Sequence, residues 1–381
     1  MSRRSSAAWR TIVVALALWS ATAGTATAAV PSPDHDGVLA AAAQIIADGA
    51  PSYLFHADDE TGAFSVATGL ADLKSGAPAV PDAEFRIGSI SKTFVAVAVL
   101  DLVADGRIGL DDPIGRYLPG LLSQGDVITI RELLQHRSGL ATNSFGDGHG
   151  ATWYSAIVQS CFKQTATVDM IRASDVHLFA PGTAFSYSNA GYATLGLLID
   201  QVTGEDYGTF IHDRILAPLG LTHTSFQEGS PVWSGPFLRG YGNFQPGHVW
   251  HSNYTDETDC NESEFGAAGS GISTTSDLTT FLHALLVGRL LPADLLQQML
   301  TGLPTNFGPN ASYGLGITID DTRCGRIYGH SGGVFGYQDD VWASADGSRV
   351  AADQIPLYPG TDATWNSAAA GMRAEFCGAA G

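Results

Sequence analysis

A serine and a lysine three residues apart, Ser89 and Lys92, stand where the loop Phe85-Arg86-Ile87-Gly88 runs into a long apolar segment. In a helix that spacing puts both side chains on one face. A serine hydroxyl is a weak nucleophile until a base takes its proton. A lysine amine can be that base only when burial or nearby charge favours its neutral form, and arginine, which stays protonated, cannot serve. Composition sharpens the point. The chain has sixteen arginines but only three lysines, Lys74, Lys92 and Lys163. It writes positive charge as arginine and places a lysine at the position where an exchangeable proton matters. The chemistry such a pair supports is acyl transfer through an acyl-serine, with the helix N-terminus and its N–H groups near the developing oxyanion. Alone, S-x-x-K arises by chance, and a serine cap followed by a surface lysine reads the same way.

Two further segments bear on it. Phe185-Ser186-Tyr187-Ser188-Asn189-Ala190-Gly191-Tyr192 precedes a helical pattern. Tyr187 can relay protons between nucleophile and leaving group, and the amide of Asn189 can hold lysine and substrate. The plainer reading makes Asn189 an N-cap and Tyr187 a core aromatic. Tyr328-Gly329-His330-Ser331-Gly332-Gly333-Val334-Phe335-Gly336 reads as a strand ending in a glycine-rich edge, against which a substrate backbone can lie. The Gly333 N–H would donate to an oxyanion there, with His330 and Ser331 facing the leaving group. The plainer reading is a hairpin with a glycine bulge. His136 is read as a turn-capping side chain and not as catalytic. His248 and His251 have metal-compatible spacing, but no carboxylate or cysteine pattern completes a site, so no metal is expected. Trp233, Trp250 and Phe265 fall where a cleft rim would run.

The elements that must position these residues follow from periodicity. A helix is expected over 38–47 and strands over 51–56 and 63–73, with turn residues between. The run 91–105 is apolar almost all round and reads as a helix buried in the core, ended by Gly106. Helices are expected over 130–135, opened by the Thr129/Glu132 capping box, and over 189–203 and 275–287. Strands are expected over 313–319, 325–330 and 336–345, and a last helix over 362–377. Strands at both ends with helices between imply an α+β fold: one antiparallel sheet built from both termini, flanked by helices, with an inserted mainly helical region. The sheet lobe would take about 36–107 and 305–378 and the helical lobe about 108–304, with the ligand cleft between them.

Residues 1–28 read as a signal peptide: Arg3, Arg4 and Arg10, an apolar run over 11–19, then Ala26-Thr27-Ala28 before a cleavage at Ala29. A single catalytic domain over 29–381 and a secreted protein are therefore expected. Without that segment 16 basic residues face 38 acidic ones, a net charge near −22. Such a surface repels nucleic acid and anionic membranes. No other segment is apolar enough for stable membrane insertion, and a monomer is expected. Cys161, Cys260, Cys324 and Cys377 lack C-x-x-C spacing, so two disulfides are expected, with three connectivities open.

In order, S-x-x-K at Ser89 and Lys92, Y-x-N at Tyr187 and Asn189, and His330-Ser331-Gly332 resemble the signature of the penicillin-recognising serine hydrolases. That family holds D-Ala-D-Ala carboxypeptidases, class C β-lactamases and related esterases and D-aminopeptidases. Phe85-Arg86-Ile87-Gly88, Leu133-Leu134-Gln135-His136-Arg137-Ser138-Gly139-Leu140, Pro181-Gly182 and Ala268-Gly269-Ser270-Gly271-Ile272-Ser273-Thr274 also resemble its landmarks. The resemblance covers 36–378 and implies a β-lactamase/transpeptidase-like fold. It implies Ser89 as nucleophile, Lys92 and Tyr187 as its base pair, and the N–H groups of Ser89 and Gly333 as oxyanion hole. Asn189, His330, Ser331, Gly332 and Gly333 would bind substrate, without metal or cofactor. Phe376-Cys377-Gly378, with a cysteine just before the third motif, resembles the secreted actinomycete carboxypeptidases and implies Cys324–Cys377, hence Cys161–Cys260.

The activity implied first is that of a D-alanyl-D-alanine carboxypeptidase-like peptidase that binds penicillin, its partner a small peptide or β-lactam. A β-lactamase-like esterase, amidase or D-aminopeptidase is the alternative, and a penicillin-binding sensor with little turnover is the non-enzymatic one. Two departures bear on substrate. The carboxypeptidases carry H-T-G-T where this chain has His330-Ser331-Gly332-Gly333, which lacks one hydroxyl. They also tend to place an arginine for the substrate carboxylate where this chain has the acidic stretch Ile317-Thr318-Ile319-Asp320-Asp321.

Overall fold

The structure, a computed structural model, describes residues 32–141, 161, 164, 166–242 and 254–380. The expected signal segment, Lys163, His248, Trp250 and His251 lie outside the described residues.

Ser52–Asp59 (β1) and Gly62–Asp72 (β2) form a hairpin, followed by the short Ala77–Pro78 (β3). Six more strands come from the C-terminal part: Leu303–Pro304 (β4), Ala311–Tyr313 (β5), Thr318–Thr322 (β6), Gly325–Val334 (β7), Tyr337–Ser344 (β8) and Val350–Ile355 (β9). They make one antiparallel sheet in the order β3-β2-β1-β9-β8-β7-β6-β5-β4. Leu54 of β1 lies opposite Gln354 of β9, so the sheet is built from both ends of the chain, as expected.

The strand β9 was not expected. All six of its residues are buried, including Asp353 and Gln354. A strand covered on both faces shows no alternation to read. The expected run over 313–319 is split into β5 and β6. Between them Gly316 takes φ +82°, accepts a hydrogen bond from Thr93 Oγ1 at 2.8 Å, and lies where a Cβ would be 2.2 Å from Ala96 Cβ. The chain leaves the sheet there to press on the nucleophile's helix. β7 runs four residues past its expected end.

His35–Ala47 (α1) and Asp362–Cys377 (α5) cover one face of the sheet, packing Val38, Ile45 and Phe376 with Tyr53, Phe55 and Ile355. The other face carries Ser91–Ala104 (α2) and Thr275–Leu286 (α4), whose Phe94 and Phe281 stack at 3.6 Å. Asn189–Thr203 (α3) packs on α2. Every α2 residue from Ser91 to Leu100 is buried, as an all-round apolar helix requires. Gly106, at φ +69°, follows its end. The Thr129/Glu132 capping box opens a short helix, Ile130–Leu134. No described helix is long and apolar enough to cross a membrane.

Cys161 pairs with Cys260, and Cys324 with Cys377, which joins the β6–β7 turn to the last residue of α5 across 53 positions. A loop of that length restricts the unfolded chain by about 4 kcal/mol in the chain-entropy model. Replacing both Cys324 and Cys377 with serine is expected to lower the unfolding free energy by about that much in a urea titration. A loss below ~1 kcal/mol would contradict it.

Candidate active site

The nucleophile loop is held from below. Phe85–Arg86, Gly271–Ser273 and Ser225–Phe226 form a small antiparallel sheet. Beyond it the Ile87 N–H donates to Gly271 O at 2.9 Å, and the Gly271 N–H to Ser91 Oγ at 3.0 Å. The buried Arg86 donates through Nη2 to the carbonyls of Thr258 (2.9 Å) and Cys260, and its Nη1 lies 2.5 Å from Glu262 Oε1. Gly88 takes φ +44°, and a one-turn 3₁₀ helix, Gly88–Ile90, feeds α2. From Ala83 to Leu100 every residue is buried except Ser89. An otherwise dry segment opens to the cleft at one hydroxyl.

Lys92 is fully buried, and its Nζ lies 2.9 Å from Ser89 Oγ and 2.8 Å from the Ala268 carbonyl oxygen. The rings of Tyr187 and Tyr192 stand 4.7 and 5.7 Å from it. Burial holds the amine well below the ordinary lysine range. A carbonyl oxygen only accepts, so one N–H goes to Ala268, and the neutral amine can then turn its lone pair to the Ser89 O–H. The carbonyl of Ala268 was invisible in the sequence, because any residue supplies one.

Tyr187 hydrogen-bonds the Ser89 hydroxyl, and burial pushes its phenol well above the ordinary range, so it is a proton carrier and not a standing anion. The loop that carries it is fixed by His136. This residue, at φ +56°, accepts the Ser188 N–H on Nδ1 (3.0 Å), and its carbonyl accepts the Ser186 N–H (2.9 Å). His136 therefore braces a turn, as read. Ser188, not Asn189, is the N-cap of α3, its Oγ accepting the Gly191 N–H. Asn189 is the first helical residue, beside Tyr187, and the Lys92 amine makes its hydrogen bonds to Ser89 and Ala268 instead.

The third motif occupies the end of β7. β6 pairs only with Gly325 to Gly329, so His330 to Val334 have β8 on one side and, among the described residues, no strand on the other. The two-residue turn after Val334 makes Val334 and Tyr337 a hydrogen-bonded pair. By alternation Gly333 and Ser331 then direct their N–H and C=O groups away from β8, to the open edge. Glycine is required for the close approach: a Cβ at Gly332 would lie 2.3 Å from Ile87 O, and one at Gly88 2.7 Å from Gly333 N.

His330 and Ser331 do not share a pocket, which corrects the expectation that both face the leaving group. Neighbouring strand residues point to opposite faces. His330 is buried, with Nδ1 2.6 Å from Ser331 O and Nε2 3.0 Å from the Tyr313 hydroxyl. Since the carbonyl accepts, Nδ1 carries the proton and the Tyr313 O–H donates to Nε2. Burial, with Lys92 nearby, drives the imidazole down to about 3, so it is neutral. Ser331 is exposed, and its hydroxyl donates to Asp340 Oδ1 at 2.5 Å, which also accepts from Trp342 Nε1 (3.2 Å). Asp340 lies opposite Asp353 across the strand pair, and burial raises both carboxyls above the ordinary range. Tyr313, Tyr358 and Asp340 were not singled out from the sequence. Phe265 packs edge-on to Phe335, and a Cβ on Gly269, beside Gly88 of the nucleophile loop, would meet it at 3.2 Å, whereas Trp233 stacks on Phe237. Phe307, half exposed, stands 6.0 Å from the Tyr187 ring and 5.3 Å from Phe185, giving the cleft an apolar wall.

Known proteins share this architecture. The chain is 30% identical over 285 residues to penicillin-binding protein 4* of Bacillus subtilis (strain 168), spanning 71% of this chain but only 60% of that protein's length. A D-stereospecific amidohydrolase from Streptomyces sp. superposes with a TM-score of 0.80 at 31% identity, over 91% of this chain and 99% of that one. The D-amino acid amidase of Ochrobactrum anthropi SV3 superposes with a TM-score of 0.78 at 25% identity, over 89% and 97%. The beta-lactamase family model matches residues 26–348, and the chain belongs to that family and is a serine hydrolase.

Proposed function

We propose that the protein hydrolyses amide or ester bonds of D-aminoacyl substrates with an uncharged leaving group, through an acyl-enzyme on Ser89. The observation that carries this reading is the Ser331–Asp340 hydrogen bond. On the exposed face of the third motif, a carboxylate holds the hydroxyl that would otherwise greet a substrate carboxylate. Arg326, at the far end of β7, pairs with Asp321 at 2.6 Å. The D-stereospecific amidohydrolase and the D-amino acid amidase, by their names, support the D-aminoacyl part.

In this reading the Ser89 oxygen bonds to the scissile carbonyl carbon and its proton passes to Lys92 Nζ, 2.9 Å away. The N–H groups of Ser89 and Gly333 receive the oxyanion. The carbon–nitrogen bond then breaks, with the proton delivered to the amine through Tyr187, and water releases the acyl group. Asn189 and the outward C=O and N–H groups of Ser331 and Gly333 align the substrate. His330 and Tyr313 hold that strand end, and Gly332 lets it close on the nucleophile loop. The penicillin-binding relative, by its name, supports acylation of Ser89 by a β-lactam. The paired cysteines support export to an oxidising compartment.

A carboxypeptidase acting on a free C-terminal carboxylate is the second reading, favoured by the retained His330-Ser331-Gly332. One substrate panel separates the two: D- and L-phenylalanine amide, and a D-Ala-D-Ala peptide with free or amidated C-terminus. We expect the D-amide to exceed the L-amide in kcat/KM by about 100-fold. The amidated peptide should exceed the free one at neutral pH. That gap should narrow as pH falls, because the Asp340 carboxyl, raised by burial, loses its charge at higher pH than an ordinary carboxyl. A free carboxylate preferred at neutral pH would establish the second reading instead.

A further inference from the structure

Where the carboxypeptidases that the third motif resembles carry the second hydroxyl of H-T-G-T, this chain has Gly333, and the space where a side chain would stand is not empty. A Cβ built on Gly333 would lie 2.7 Å from Cε2 and 2.9 Å from Cζ of Tyr358. The ring that excludes a side chain from Gly333 thus brings its own hydroxyl-bearing carbon to the same corner. A phenolic oxygen is one bond from Cζ, as a serine or threonine hydroxyl is one bond from Cβ.

Tyr358 is anchored there. It lies three residues past the end of β9, its N–H donates to Tyr241 O at 3.1 Å, and Leu357 before it bridges to Tyr241. The side chain is mostly buried, which lifts its phenol above the ordinary range, yet its hydroxyl has no hydrogen-bond partner among the described residues. A tyrosine at the edge of a cleft ordinarily satisfies its hydroxyl, with protein, water or ligand. Tyr358 also lies close enough to Tyr187 to help hold the Tyr187 phenol above its ordinary range.

We propose that Tyr358 is a substrate-contact residue, supplying from a different strand end the hydroxyl that Gly333 has given up. The inference rests on the acyl-enzyme reading above. The phenol would donate to an uncharged acceptor on the leaving-group side of the scissile bond, such as an amide carbonyl. It carries no charge, so it suits the same uncharged leaving groups that Asp340 favours.

Three variants test this: Tyr358→Phe, Tyr358→Ala, and Tyr358→Ala combined with Gly333→Ser. The readouts are kcat and KM on a D-aminoacyl amide and on an amidated D-Ala-D-Ala peptide. Tyr358→Phe keeps the ring and removes one hydrogen bond, for which about a tenfold loss of kcat/KM is expected. Tyr358→Ala should lose more. Adding Gly333→Ser to it, now that the ring has left room, should recover a large part of the loss, which a purely structural role for the ring does not predict. Thermal melts establish that each variant is folded. Tyr358→Phe within twofold of wild type on both substrates, or a folded double variant no better than Tyr358→Ala, would overturn the assignment while leaving the acyl-enzyme reading standing. A wild-type protein that turns over neither substrate removes that reading and this inference with it.

Discussion

Lys92→Arg is expected to slow acylation of Ser89 by on the order of 10⁴-fold or more, although it keeps the positive charge. The reason lies in the environment of the amine. Nζ is fully buried, donates to one carbonyl and meets the serine at 2.9 Å, with aromatic faces around it. Burial moves lysine toward its neutral form; a guanidinium in the same place stays protonated and offers no lone pair. Lys92→Met controls for bulk, and both variants should retain cooperative unfolding. Wild-type acylation should rise with pH through the lowered lysine titration and then level off. Stability should move the same way. The unfolded chain binds a proton at Lys92 that the folded chain refuses, so unfolding free energy rises with pH over that window. Lys92→Met should flatten this slope. Acylation within tenfold of wild type in Lys92→Arg would remove lysine from the role of base.

Tyr187→Phe is expected to lower kcat/KM on amides by about 10²–10⁴-fold, the range of a lost proton-transfer group. The ring should stay in place, since it packs on Lys92, His136 and Phe307 without help from its hydroxyl. The loss should depend on the leaving group. An amide nitrogen must be protonated as it departs, while an aryl oxide leaves unaided, so an activated aryl ester should suffer far less. Equal losses on amide and ester would assign Tyr187 to generating the nucleophile and not to protonating the leaving amine.

Much of this was legible in the residues. The all-round apolar run behind Ser89 gave a buried helix, and its burial is what makes Lys92 chemically distinct. The three motifs were legible because each combines a reactive side chain with a backbone feature: a helix start, a capped turn, a glycine edge. What stayed hidden has physical causes. The strand β9 is covered on both faces and carries Asp353 and Gln354, so nothing alternates. The partner of Lys92 is a main-chain carbonyl, to which the Ala268 side chain contributes nothing. The Ser331–Asp340 pairing depends on β7–β8 register, which a sequence specifies only through the turn length between them. Gly333 was noted for the hydroxyl it lacks, but its complement, Tyr358, sits past two further strands. The expectation for His330 and Ser331 erred because it treated neighbours in sequence as neighbours in space.

The most direct test of the account is an acid quench of the protein during turnover of a D-aminoacyl ester, followed by peptide mass spectrometry. The peptide bearing Ser89 is expected to gain a mass equal to the acyl group, a gain absent from Ser89→Ala and scarcely detectable in Lys92→Arg. Sustained turnover with Ser89 unmodified, and undiminished in Ser89→Ala, would contradict it.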